Sequence, residues 1–269
     1  MTTSTEVVRF TARSPDGVEL AVWAEGRGPA IVLVHGSIQD HTISAALVAD
    51  LRADFTTYAM DRRGFGASGD GATYSLEREF ADVATVVDQV TALTGRPAAL
   101  WGHSFGASCA MGAAELTQNL SHLVLYEPSL GFGYPESWVD EVEQVVAAGD
   151  HETALVMLFH DLLGFTEEQI DAMRADPEWA GRVATAPTIA REARVEQGWE
   201  YPDGGMERIA APTLLLSGSD STPEIKAATD AAMAAIGGAR LRVLEGHGHI
   251  AHRTHPAMVA NIVREFVTG

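Results

Sequence analysis

The 269-residue chain carries 18 Lys and Arg against 37 Asp and Glu, a formal net charge of -19, with 46% hydrophobic residues and one cysteine. That length suits one large α/β domain with room for an inserted subdomain, and the acidity argues against nucleic acid or an anionic membrane, which need a basic footprint. A lone Cys109 excludes an intrachain disulfide, no apolar run reaches transmembrane length, and Met1 to Thr5 lack the apolar core of a leader, so a soluble protein of the reducing cytoplasm is expected.

Taken in order, Glu6 to Thr11 and Val18 to Trp23 alternate in polarity around Ser14-Pro15-Asp16-Gly17, which predicts a β-hairpin. Ala30 to Val34 is the continuous apolar run of a strand covered on both faces, and it ends in His35-Gly36-Ser37 before a short helix through about Leu51. Phe55 to Met60 is the next strand, closed by Asp61-Arg62-Arg63-Gly64-Phe65-Gly66-Ala67-Ser68. Phe80, Val83, Val86, Val87 and Val90 recur at helical spacing between Ser75 and Leu93, and Thr94-Gly95-Arg96-Pro97 ends that helix.

The following stretch, Ala98-Ala99-Leu100-Trp101-Gly102-His103-Ser104-Phe105-Gly106-Ala107, reads as strand, sharp turn and helix. In a G-x-S-x-G turn the serine has a strained backbone that lifts its hydroxyl clear of the sheet edge. Glycine is required at 102 and 106 because a side chain there would strike the neighbouring strand or helix. The amide of Phe105 lies at a helix N-terminus, where unpaired N–H groups favour a developing oxyanion. Cys109, inside that helix, is expected to be a buried apolar thiol.

His122 to Tyr126 forms another buried strand, ended by Glu127-Pro128. Residues 130–207 read as helices only, and strand signals return at Pro212 to Ser217 and Arg240 to Leu244, each followed by a helix, the last from Pro256 to Val267. The expected fold is α/β, with a mostly parallel eight-stranded sheet flanked by helices and ligands at its carboxyl edge. Residues 1–129 and 208–269 would form the core, and 130–207 a helical cap inserted after the sixth strand.

Four motifs, His35-Gly36, Asp61 to Ser68, Gly102-His103-Ser104-Phe105-Gly106 and Gly248-His249, fall at strand ends in the order of the α/β-hydrolases. The chain resembles that superfamily over nearly its whole length. Within it the chain is similar to small cap-bearing bacterial serine esterases, lactonases and cofactor-free haloperoxidase-like proteins. The resemblance implies Ser104 as nucleophile and His249 as general base. It also implies an oxyanion hole from the amides of Ser37 and Phe105, with His35, Asp61 and Arg62 bracing loops. Relatives with an alkyl-enzyme carry Asp at the elbow, so Ser104 favours an acyl-enzyme.

The acid departs from the usual G-x-x-D after the seventh strand: Gly218-Ser219-Asp220-Ser221 has Asp220 one residue early. Ser221-Thr222-Pro223-Glu224 also reads as a helix capping box, which gives Asp220 a structural role at a helix start. Some relatives place the acid after the sixth strand, where Glu127 stands, and a carboxylate closing a buried run needs a compensating partner such as histidine. Glu127 is therefore preferred and Asp220 is the alternative.

His247, His249, His252 and His255 fall within nine residues, but no H-x-H-x-D-H pattern or neighbouring carboxylate run accompanies them, so no metal and no cofactor are expected. The insertion is rich in bulky groups (Phe132, Tyr134, Trp138, Met157, Leu158, Phe159, Leu162, Leu163, Phe165, Trp179, Trp199 and Tyr201), of which about a third should line a pocket. The expected activity is hydrolysis of a carboxylic ester or lactone with an apolar moiety. C–C bond hydrolysis, haloperoxidase-like perhydrolysis and a receptor-like protein with little turnover are the alternatives.

Overall fold

A computed structural model describes residues 7–135 and 137–269; the leaderless start read over Met1 to Thr5, and Glu6 of the first expected strand, lie outside them. Strands β1 (Val8–Arg13) and β2 (Glu19–Gly26) form the expected hairpin, with Gly17 at φ 91° supplying the turn. The remaining strands are β3 (Ala30–Val34), β4 (Thr56–Met60), β5 (Ala98–His103), β6 (Leu120–Tyr126), β7 (Thr213–Gly218) and β8 (Arg240–Leu244). They build one eight-stranded sheet in the order β1-β2-β4-β3-β5-β6-β7-β8. Only β1–β2 and β2–β4 pair antiparallel; every other pair is parallel.

The helices are α1 (Ala45–Leu51), α2 (Leu76–Thr94), α3 (Phe105–Ala114), α4 (Trp138–Ala147), α5 (His151–Met157), α6 (Glu167–Arg174), α7 (Trp179–Thr185), α8 (Pro187–Gln197), α9 (Pro223–Ala235), α10 (Ala251–Thr254) and α11 (Pro256–Thr268). A 3-10 turn, His41–Ser44, precedes α1, and a π-turn, Leu158–Leu162, follows α5. Ser75 caps α2 through its hydroxyl, and Gly95 ends that helix in the left-handed region at φ 71°, so the chain turns into β5.

The period of two along each strand sorts the core into two layers. Val32, Val34 and Leu100 pack with Val83, Val86 and Val87 of α2 and Ala107 to Ala114 of α3. Ile31, Leu33, Ala99 and Trp101 point the other way, against Leu47 of α1 and Val259, Ile262 and Val263 of α11. Continuous apolar strands therefore follow from burial on both faces. Between β6 and β7 the described chain is helical, α4 to α8, and has its own core of Trp138, Val142, Leu155, Phe159, Ile170 and Ile189. One residue from outside the insertion joins that cluster: Ile38, from the loop after β3, which stands at φ 56°.

The loop after β4 is held by two fully buried arginines. Arg63 bonds Asp82 of α2 and Asp16 of the hairpin turn, while Arg62 bonds Glu79 of α2 and Glu192 of α8. Asp61 accepts the amides of His41 and Ala67 at 2.8 and 2.7 Å. Cys109 is buried as expected, but its surroundings are not purely apolar, since its Sγ lies 3.9 Å from the Glu79 carboxylate.

Candidate active site

Ser104 sits between β5 and α3 at φ 56° and ψ -129°, outside the ordinary helix and strand regions. Its amide donates to Tyr126 O at 2.9 Å and its carbonyl accepts from Ala107 N at 2.8 Å, so both flanks fix the strained turn. A Cβ at Gly106 would strike the carbonyls of Val34 and His35, and one at Gly102 would strike Gly106 O and Ala107 Cα. Those two glycines let the elbow close against β3.

The loop after β3 passes beside the serine, and a Cβ built on Gly36 would lie 3.0 Å from Ser104 Cβ. His35 braces this loop: its Nδ1 donates to Gly36 O at 2.8 Å and its Nε2 accepts from Arg62 N at 3.0 Å. Burial lowers the His35 pKa to about 4, so the ring is neutral, as that bonding pattern requires. The amides of Ser37 and Phe105 have no protein acceptor among the described residues.

Register explains the carboxylate. His103 and Tyr126 are partners across β5 and β6, so Ser104 and Glu127 occupy the next rung. Glu127 is 1% exposed and stands at φ 48°. Its Oε2 lies 2.6 Å from His249 Nδ1, and its Oε1 accepts from Gly218 N and Ser221 Oγ, each at 2.6 Å. The loop after β8 that bears His249 is tied back to the sheet. The Tyr126 hydroxyl donates to Gly248 O and accepts from Ala251 N, while His103 Nε2 donates to His249 O at 2.8 Å.

Asp220 stands apart. It is exposed, accepts from Ser219 Oγ at 2.9 Å and makes no hydrogen bond to His249. The cap expected at Ser221 lies one residue later and closes no capping box, because Ile225 stands where the box needs Glu or Gln: Thr222 caps α9 and Pro223 opens it. Ser221 is thereby released to hold Glu127. Sequence reasoning missed this serine because either hydroxyl of the Ser-Thr pair can cap the same helix. The telling feature is Pro223, which marks the residue before it as the cap.

The neighbouring histidines diverge. His247 packs on His255, whereas His252 is buried against Trp101 and His103. Burial lowers the pKa of His252 to about 3 and drives that of His103 well down, so neither adds positive charge beside His249. Among the described residues, Asp40, His41 and Asp61 have metal-ligand spacing, but His41 Nδ1 is already 2.8 Å from Asp61 Oδ1.

Two cavities open to solvent, of about 430 and 570 Å³ with their mouths included, meet at Ser104, and Ser37 and His249 line both. The first is walled by Phe132, Tyr134, Leu158, Leu162, Leu163 and Ile225, with Glu127, Ser129 and Glu196 as polar points. The second is walled by Ile38, Leu158, Phe159, Leu163, Phe165 and Met173, with Arg182 and Arg253. More of the bulky insertion residues reach the site than the expected third: Phe132, Tyr134, Leu158, Phe159, Leu162, Leu163 and Phe165 all do. The π-turn contributes by presenting Leu158 and Leu162 together. Glu196 accepts from Ser129 Oγ and the Tyr134 hydroxyl, and burial pushes its pKa up to about 7. Sequence reading did not single it out, because a glutamate four residues from Glu192 on a helix looks like a solvated face.

The profile of a family described as "Alpha/beta hydrolase family" matches residues 31–262. The chain is 28% identical over 198 residues to a 2-(acetamidomethylene)succinate hydrolase of Mesorhizobium japonicum, covering 74% of this chain and 64% of that protein. It is 29% identical over 256 residues to a pimeloyl-[acyl-carrier protein] methyl ester esterase of Stenotrophomonas maltophilia, covering 91% of this chain and 95% of the other. Among solved structures it is similar to an alpha/beta hydrolase from Sphaerobacter thermophilus, with TM-score 0.82 and 28% identity over 96% of this chain and 99% of that one.

Proposed function

Because this chain belongs to the alpha/beta hydrolase family, we propose that it cleaves a carboxylic ester or lactone through an acyl-enzyme formed on Ser104. The observation that carries this reading is the 2.6 Å bond between Glu127 Oε2 and His249 Nδ1, in the cavity that the strained Ser104 also lines. Serine needs a base and an oriented imidazole to attack at neutral pH. Similarity to an esterase, and to a hydrolase of another small molecule, points the same way.

In the proposed reaction His249 Nε2 takes the Ser104 hydroxyl proton as Oγ bonds the carbonyl carbon. Glu127 holds the Nδ1–H tautomer and offsets the charge of the imidazolium. The amides of Ser37 and Phe105 receive the oxyanion, each donor worth about 3–4 kcal/mol in comparable sites. His249 then returns the proton to the departing alkoxide, and water, deprotonated by the same histidine, releases the acid and restores Ser104. The helices between β6 and β7 act as the cap, and their apolar side chains in both cavities favour an apolar moiety beside the ester.

Labelling with a fluorophosphonate and turnover of p-nitrophenyl butyrate test this reading. The native protein is expected to be labelled at Ser104, and Ser104→Ala to lose labelling and at least about 10³-fold in kcat while staying folded. Binding without labelling or turnover in the native protein would favour the receptor-like alternative.

A further inference from the structure

We propose that the substrate carries a carboxylate, received by Arg182 and Arg253 in the second cavity; the proposal rests on the reading of Ser104 as nucleophile. Arg182 of α7 and Arg253 of α10 are the cationic side chains lining the two cavities beside Ser104 among the described residues. They approach from opposite sides, one from the insertion and one from the core, and both donate through Nη2 to the same oxygen, Glu178 Oε2, at 2.8 and 3.2 Å.

Two guanidiniums on one carboxylate leave one unit of positive charge. Arg182 is 8% exposed, yet its Nε and Nη1 have no protein acceptor among the described residues. The buried arginines elsewhere in the molecule differ. Arg62 is met by Glu79 and Glu192, and Arg63 by Asp16 and Asp82. The N–H groups of Arg182 that no protein group accepts stay accessible in the cavity it lines, where a ligand anion can meet them in place of water. With one Nη2–H on Glu178, the second Nη2–H and the Nε–H or Nη1–H parallel to it form a free edge that fits the two oxygens of a carboxylate. The single uncompensated charge matches a monoanionic carboxylate better than a dianionic phosphate.

The apolar wall of Leu158, Phe159, Leu163 and Phe165 lies in the same cavity as Ser104 and the two arginines. It suits an apolar spacer joining the ester to the carboxylate. In a chain of net charge -19 an anion is repelled at long range, so its reception needs local cations such as these.

The test compares mono-p-nitrophenyl glutarate with p-nitrophenyl valerate, and 4-carboxyphenyl valerate with phenyl valerate, which separates a carboxylate on the acyl side from one on the alcohol side. In one of the two pairs the native protein is expected to prefer the charged ester. Arg253→Gln should then lower the charged-to-neutral ratio of kcat/KM about tenfold, and Glu178→Gln should raise it about threefold by freeing both arginines. A purely structural clip would lower both esters together in each variant and leave the ratio unmoved, which would overturn the proposal. Calorimetry on Ser104→Ala with monomethyl glutarate, methyl valerate and butyl phosphate needs no turnover. Tighter binding of the half-ester supports the proposal, whereas equal binding, or tighter binding of the phosphate, overturns it. Loss of fluorophosphonate labelling in the native protein would instead refute the nucleophile and leave the calorimetry to judge the anion.

Discussion

Glu127 occupies a backbone conformation that favours glycine, at a cost of about 1–3 kcal/mol for a side chain of its kind. The position is over-determined: its amide donates to Leu216 O at 3.1 Å, and its carboxylate meets Gly218, Ser221 and His249. Glu127→Gln would set an amide N–H against one of those donors. We expect kcat to fall by as much as about 10⁴-fold, while Asp220→Asn loses less than about tenfold. Ser221→Ala removes one of two donors to Oε1 and should cost about tenfold in kcat with KM little changed. Steady-state kinetics on p-nitrophenyl butyrate checks all three, and an Asp220→Asn defect as deep as that of Glu127→Gln would count against the proposal of Glu127 as the acid. At this scale the strand–turn–helix at Ser104 and the pairing of Glu127 with a histidine were legible, because a lone charge at the end of a buried run needs a partner. Ser221 was not, since the choice of capping residue turns on one step of helical phase.

At the scale of elements, strand ends were legible to within a few residues, because parallel strands buried on both faces spell unbroken apolar runs. The close approach of the elbow to β3 was legible as well, from glycine at 102 and 106. Gly106→Ala tests it: the new Cβ meets the carbonyls of Val34 and His35, which as backbone cannot rotate away. We expect a loss of about 3 kcal/mol or failure to fold. Gly237→Ala, where a Cβ meets nothing within 4 Å, should change stability little. Thermal unfolding compares the two, and equal stability would show that the elbow tolerates a side chain. What the periodicity of α8 concealed was its acidic stripe, Glu192 and Glu196, whose burial is decided by partners such as Arg62, 130 positions away in sequence.

The whole molecule is joined through that stripe. Arg62 links the sheet to α2 and α8 at once, and Glu196 extends the buried acid to the first cavity. Burial raises the Glu196 pKa from 4.5 to about 7, so the folded state holds its proton more tightly than the unfolded chain. The stability this confers is complete below pH 4.5 and is lost as pH rises through about 7, a change of roughly 3 kcal/mol. Urea unfolding at pH 5 and pH 8 should show this loss in the native protein and not in Glu196→Gln. Parallel pH dependence in both would assign the proton elsewhere. A last consequence concerns interchange between relatives. Ile38 is plugged into the hydrophobic cluster of the inserted helices, one residue after Ser37. Inserted helices grafted from a relative would arrive without a socket for that plug. Exchanging these helices therefore means moving position 38 with them, or the Ser37 amide, the proposed oxyanion donor, loses its anchor.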